Sequence, residues 1–181
     1  MPSSHSRMGA KGEDVATHDA NRVTLRVGDP SDAKAFAVID AAAWSPDNSP
    51  GPAPTGNLAG YTESLARGGV LVAEWDGKVV GYLGLHPPFP VPSNRHVGLL
   101  DVAVHPECQG RGIGTALLRY AEEMAREWGM RKLSLRVLST NSGARRLYER
   151  MGYREEGRLR GEFVIAGRLV DDVLMAKWID E

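Results

Sequence analysis

Seven residues, Gln109-Gly-Arg-Gly-Ile-Gly-Thr115, constrain this chain more than any others, because three glycines alternate where an apolar run gives way to a helical pattern. The run, residues 96–104, is nearly continuous in apolar character and suits a central strand covered on both faces. The pattern after it, residues 110–128, carries Ile113, Leu117, Leu118, Ala121, Met124 and Ala125 on one helical stripe. Glycines lack Cβ and let backbone N–H groups converge, and a new helix adds its unpaired donors and the positive end of its dipole. The segment therefore reads as a seat for an anion the size of a pyrophosphate. A P-loop would need a Lys-Ser or Lys-Thr pair after the last glycine, and a dinucleotide fingerprint a later third glycine; Ile113-Gly114-Thr115 offers neither. A ligand-free glycine turn between strand and helix stays open on this segment alone.

The remaining chain supplies one α/β domain around that turn. Residues 23–27 read as a strand and 30–43 as a helix that Asp29 or Ser31 caps. Residues 44–56 hold four of the eleven prolines and must be loop; 57–67 form a helix ended by Gly68-Gly69. Two β-rich runs, 70–75 and 78–85, meet at Asp76-Gly77, a turn that needs positive φ. Beyond the long helix come a strand at 133–138, a short helix at 142–150, and a hairpin over 158–179 turning at Ala166-Gly167. The order β α α β β β α β α β β folds most economically as one mixed, mostly antiparallel sheet with helices on both faces. The domain spans residues 21–181, and residues 1–20, polar with little to bury, are expected to be a disordered tail.

Composition narrows the partners. Twenty-two basic against 23 acidic residues give a net charge of −1, so no overall field would hold the protein on nucleic acid or an anionic membrane. No apolar stretch reaches membrane-spanning length and no apolar signal core precedes the domain, so the chain is read as cytoplasmic. Cys108 is the sole cysteine and His5, His18, His86, His96 and His105 are scattered, so neither a disulfide framework nor a metal site is expected.

These residues carry a resemblance. Gln109, Gly112 and Gly114 satisfy the pattern Gln or Arg, two residues, Gly, one residue, Gly or Ala, which is the hallmark of the GNAT superfamily of acyl-CoA-dependent N-acyltransferases. The likeness includes Val102-Ala-Val-His-Pro106 before the loop and Asn141-Ser-Gly-Ala-Arg-Arg-Leu-Tyr-Glu-Arg-Met-Gly-Tyr153 after it, and extends over about residues 23–178. It implies a GNAT-like sheet splayed at its central strands, with acetyl-CoA as cosubstrate. The stretch Val102-Ala103-Val104 would hold the pantetheine arm as an added strand, with the Val104 N–H near the thioester carbonyl. Gln109, Gly110, Arg111, Gly112, Ile113, Gly114 and Thr115 would hold the pyrophosphate, and Asn141 and Ala144 the CoA arm. Tyr148 would be the acid that protonates the leaving thiolate. That role is chemically sound, because a phenolic O–H stabilises charge developing on sulfur.

An attacking amine must be neutral, yet at pH 7 a typical amine is protonated. His96, near the start of the central strand, is the first candidate to take the proton, since some family members place a carboxylate near that part of the strand; His86, Tyr82, Glu162 or an ordered water are the alternatives. Cys108 is set aside as a nucleophile because no His and acid partnership stands beside it. His105 leads into the turn. Arg119, Glu122, Glu123, Arg126 and Glu127 read as a solvated helix face, and Arg145-Arg146 either as another or as a contact to the CoA phosphate.

Specificity is expected from the loop at 44–56, the loop around Phe89, and the hairpin at 157–171, where Trp44, Phe89 and Phe163 are apolar and Asp47, Glu162, Asp171 and Asp172 attract cations. The expected acceptor is the primary amine of a small molecule or of a peptide N-terminus. A homodimer is expected through the late hairpin, since an exposed edge strand invites pairing. Two rival readings are a non-catalytic acyl-CoA-binding module and an enzyme using a longer acyl-CoA.

Overall fold

The computed structural model describes residues 23–45, 48–51 and 57–180; the expected tail, residues 1–20, and Asp47 lie outside them. The chain runs β1 (Val23–Val27), the first of three 3-10 turns among the described residues (Pro30–Asp32), α1 (Ala33–Ala43), α2 (Leu58–Arg67), β2 (Val70–Trp75) and β3 (Lys78–His86). It continues through β4 (Val97–Val104), α3 (Ile113–Glu127), β5 (Lys132–Leu138), α4 (Ser142–Arg150), β6 (Arg154–Ile165) and β7 (Arg168–Trp178).

One seven-stranded sheet takes the order β1-β2-β3-β4-β5-β7-β6, with β4 and β5 its single parallel neighbours. This is the mixed, mostly antiparallel α/β architecture expected from the element order. Local chemistry fixes the turns. The Asp29 carboxylate accepts from the Ser31 amide while the Asp32 side chain reaches back to the Asp29 amide, a reciprocal cap ahead of α1. Asn57 caps α2 through the Gly60 amide. Asp76 and Gly77 both take positive φ, +51° and +73°, which lets two residues join β2 to β3.

Period-2 alternation divides the sheet between two helical layers. Leu83, Leu85 and Leu100 join Leu117, Leu118 and Ala121 of α3 in the main core. Val70, Val72 and the half-buried Tyr82 point the other way and pack with Phe36 of α1 and Leu65 of α2. Tyr82 and Phe36 stack at 4.1 Å.

Two boundaries near the glycine loop and its strand, and one burial, differ from the sequence reading. Helix α3 starts at Ile113, not at residue 110, because Gly110 and Gly112 take φ of +75° and +81° and hold the preceding segment as a loop. Strand β4 starts at Val97, leaving His96 in the turn before it. Glu122, assigned above to a solvated face, is buried and meets Lys177 Nζ of β7 at 2.7 Å.

Candidate active site

The geometry of the site follows from where one strand pairing stops. β4 pairs with β5 only from Val97 to Leu100, against Lys132 to Leu135, although β4 runs on to Val104 and β5 to Leu138. The His105 amide donates to the Val80 carbonyl at 2.8 Å, so in the antiparallel ladder with β3 the odd positions of β4 face β3 and the backbone groups of Val102 and Val104 face the gap. The sheet is splayed there, as expected.

A cavity of about 830 Å³ fills that gap. Val102, Ala103, Val104, Gln109, Gly110, Gly112, Ile113, Gly114, Thr115, Asn141, Ala144 and Tyr148 all line it. Arg111 does not; its guanidinium lies 5.0 Å over the Trp75 ring. Gln109 Nε2 donates to the Val104 carbonyl at 3.2 Å, tying the loop to the end of β4. Ala116 is the first residue of this stretch whose amide has a backbone acceptor, the Gly112 carbonyl, so the amides of residues 110–115 stay free for an anion. A Cβ on Gly110 or Gly112 would meet nothing within 4 Å, so both glycines border open space. A Cβ on Gly114 would lie 2.9 Å from Leu147 Cδ2, so this glycine lets α3 approach α4. These features fit a diphosphate at the loop and an extended arm along β4.

Helix α4 forms the facing wall. Asn141 Oδ1 accepts the Ala144 amide at 3.1 Å, so the cap of α4 belongs to the cavity lining. Tyr148 is 7% exposed, and burial first, then the negative charge of Asp101, pushes its hydroxyl up to about 12. It therefore stays protonated across neutral pH and can act as an acid.

A second cavity of about 620 Å³ adjoins the first and shares Trp44, Asn48, Val102, Ala103, Asn141, Ala144 and Tyr148 with it. Its other walls carry Tyr82, Asp101, Arg136, Glu162, Phe163 and Asp172. The β6–β7 register slips between Leu159 and Phe163, with Gly161 at φ +60° and its amide on Asp171 Oδ1, and this irregularity brings Glu162 and Phe163 to the cavity. Asp172, 2% exposed, is paired with the Arg136 guanidinium. From α1, the buried Asp40 carboxylate accepts from Tyr61 Oη (2.5 Å), Tyr82 Oη (2.6 Å) and Trp44 Nε1 (3.2 Å), and so fixes two cavity-lining side chains.

His96 is not brought to this site. It is exposed, its carbonyl accepts the Arg131 and Lys132 amides, and eight residues of extended chain put it roughly 26 Å from Val104. The expectation that His96 takes the amine's proton is corrected on that ground. His86 instead meets Asp101 at 2.9 Å, and Tyr82 and Glu162 line the second cavity. Asp101 and Asp40 were missed in the sequence. Each had a signal, as the lone charge within the apolar run 97–104 and the lone acid in the apolar helix 33–43. Among the described residues no three His, Cys, Asp or Glu side chains gather as a metal site would require, and no helix is long and apolar enough to cross a membrane.

Comparison with known proteins places this geometry. The family model described as Acetyltransferase (GNAT) family matches residues 35–153. The uncharacterized N-acetyltransferase YhfO of Bacillus subtilis is 35% identical over 88 residues, covering 48% of this chain and 59% of its own length. The chain spans 42 to 64% of the length of several such curated relatives. The L-methionine sulfoximine/L-methionine sulfone acetyltransferase of Salmonella typhimurium is 29% identical over 167 residues, 88% of this chain and 96% of that one. The structure of yncA from Salmonella typhimurium with its cofactor acetyl-CoA superposes with a TM-score of 0.76 at 27% identity, covering 89% of this chain and 96% of that chain.

Proposed function

Because this chain belongs to the acetyltransferase (GNAT) family, we propose that it transfers the acetyl group of acetyl-CoA directly to a primary amine, of a small molecule or of a peptide or protein N-terminus. One observation carries the reading: two cavities, one lined by free backbone amides and the other by acids, share Tyr148 in their common wall. The amides of residues 110–115 hold the diphosphate, and the free edge of Val102–Val104 holds the pantetheine arm. Acetyl-CoA supplies an activated acyl group as a thioester. The Val104 N–H faces the gap where the thioester oxygen gains charge, and Tyr148 donates its proton to sulfur.

The acceptor side recruits a cation. Asp101 and Glu162 are acidic and Arg136 is already neutralised by Asp172, so the cavity favours an ammonium over an anion. Trp44 and Phe163 add apolar wall for the carbon skeleton. The reading extends to a homodimer: Val164 and Leu169, directly paired at the tip of the β6–β7 hairpin, are 70% and 75% exposed beside the β6 edge. Release of CoA thiol, followed with a panel of amines and several acyl-CoAs, tests the function. Amine-dependent release from acetyl-CoA supports it; binding of acetyl-CoA without release to any amine contradicts it. Sedimentation tests the dimer.

A further inference from the structure

The β3–β4 register sets Gly84 opposite Asp101 and His86 opposite Leu99. With no side chain at position 84, the His86 ring reaches diagonally across to Asp101, Nε2 to Oδ2 at 2.9 Å. The other ring nitrogen, Nδ1, stands 3.2 Å from the Pro87 carbonyl oxygen. Both ring nitrogens thus face acceptors. A neutral imidazole can donate to only one of them, whereas an imidazolium donates to both. Asp101 lines the acceptor cavity, and His86 is about half exposed beside it, so the pair leads from the cavity to water.

Other groups facing this pair are fixed. Tyr82 of β3 and Tyr148 of α4 are held protonated, chiefly by burial, and Tyr82 also by its bond to Asp40 of α1. Arg136 of β5 is bound to Asp172 of β7. Glu162 of β6 lines the same cavity as Asp101. His86 is the group there whose ordinary titration falls near neutrality.

We propose that Asp101 and His86 carry the acceptor amine's proton out of the cavity to solvent, a role that rests on the transferase reading above. The steps balance without any redox partner. As the ammonium takes up Asp101, the His86 imidazolium releases its Nε2 proton to water. The ammonium then gives one proton to the Asp101 carboxylate, which passes it to the vacated Nε2. The freed nitrogen lone pair forms the C–N bond as the C–S bond breaks. Tyr148 protonates the sulfur and is reprotonated by the second proton of the amine nitrogen, so one proton leaves per turnover. The bond to Asp101, ahead of the Pro87 carbonyl, raises His86 above its ordinary value. The acid limb of the rate therefore lies above pH ~6.5, and falls when Asp101 is neutral.

The test compares wild type, Asp101→Asn and His86→Gln. Both side chains are more than half exposed, so the fold tolerates the changes. Acetyl-CoA binding is measured by calorimetry, the His86 ring is titrated by NMR, and transfer is assayed with two probes: hydroxylamine, neutral at pH 7, and L-methionine sulfone, protonated there. We expect unchanged acetyl-CoA binding and a lowered His86 titration in Asp101→Asn. Both variants should lose transfer to L-methionine sulfone by about 10²-fold, with a much smaller loss for hydroxylamine. Equal loss with both probes overturns the proposal, as does an unmoved His86 titration in Asp101→Asn. Loss of acetyl-CoA binding by wild type itself would instead overturn the transferase reading.

Discussion

Gly114 and Leu147 bring the two walls of the cofactor cavity together, since a Cβ on Gly114 would stand 2.9 Å from Leu147 Cδ2. The pairing links the glycine loop on α3 to the Tyr148 helix, so the loop's chemistry and the acid's position depend on one contact. Gly114→Val inserts branched bulk there, and destabilisation of about 1–3 kcal/mol is expected in urea denaturation. Acetyl-CoA affinity should fall with it, because Leu147 also lines the cavity.

Gly112 tests the loop separately from packing. Its φ of +81° costs an L-residue about 1–2 kcal/mol, while a methyl there meets no neighbour. Gly112→Ala is expected to weaken acetyl-CoA binding about tenfold, a loss of about 1.4 kcal/mol by calorimetry. Gly143→Ala, in the first turn of α4 with no crowding and no positive φ, should hold or slightly raise the melting temperature.

Tyr148→Phe removes the proton donor and leaves the ring. Turnover should fall by about 10²-fold with acetyl-CoA affinity unchanged, since the hydroxyl acts on the leaving sulfur rather than on the bound cofactor. Equal loss of both, or of neither, assigns the acid elsewhere.

Alkaline stability follows from the same burial. The Tyr148 hydroxyl is raised from about 10 in the unfolded chain to about 12. Its stabilising effect is complete below pH 10 and is lost as pH rises from 10 to about 12, because the unfolded chain sheds the proton first. The loss is about 2 kcal/mol for Tyr148 alone, and Tyr61, Tyr82 and Tyr153, also raised chiefly by burial, steepen it. Urea midpoints should drop across that window, and less steeply in Tyr148→Phe.

Asp40 holds three donors with one buried carboxylate, and Asp40→Asn replaces an acceptor with an amide that cannot satisfy them. A loss of about 2–4 kcal/mol is expected by thermal or urea unfolding. Trp44 fluorescence should shift as its anchor is lost.

Much of this architecture was legible. The apolar run before residue 105, the alternating glycines and the stripe of α3 fixed strand, loop and helix, since each depends on local periodicity or backbone freedom. Asp76-Gly77 and Ala166-Gly167 fixed two hairpins by their need for positive φ. On the acceptor side Trp44, Tyr82, Glu162, Phe163 and Asp172 were legible as candidates, but their arrangement was not, because it is assembled by register. Asp101 meets His86 only through the β3–β4 pairing, Arg136 meets Asp172 across β5 and β7, and the slip in β6 that presents Glu162 has no sequence period. His96 was misplaced for a related reason: sequence proximity to a strand does not say which end of that strand carries the chemistry. Glu122 sits on a polar stripe whose burial depends on Lys177, some fifty residues away.

The central claim is that backbone donors in the β4–β5 gap bind acetyl-CoA. An amide-resolved NMR titration with acetyl-CoA measures those donors directly. The account predicts that the largest shifts fall on Val102, Val104 and residues 110–115, and that they are lost in Gly112→Ala. Acetyl-CoA binding that leaves these amides unmoved, or no binding at all, would contradict it.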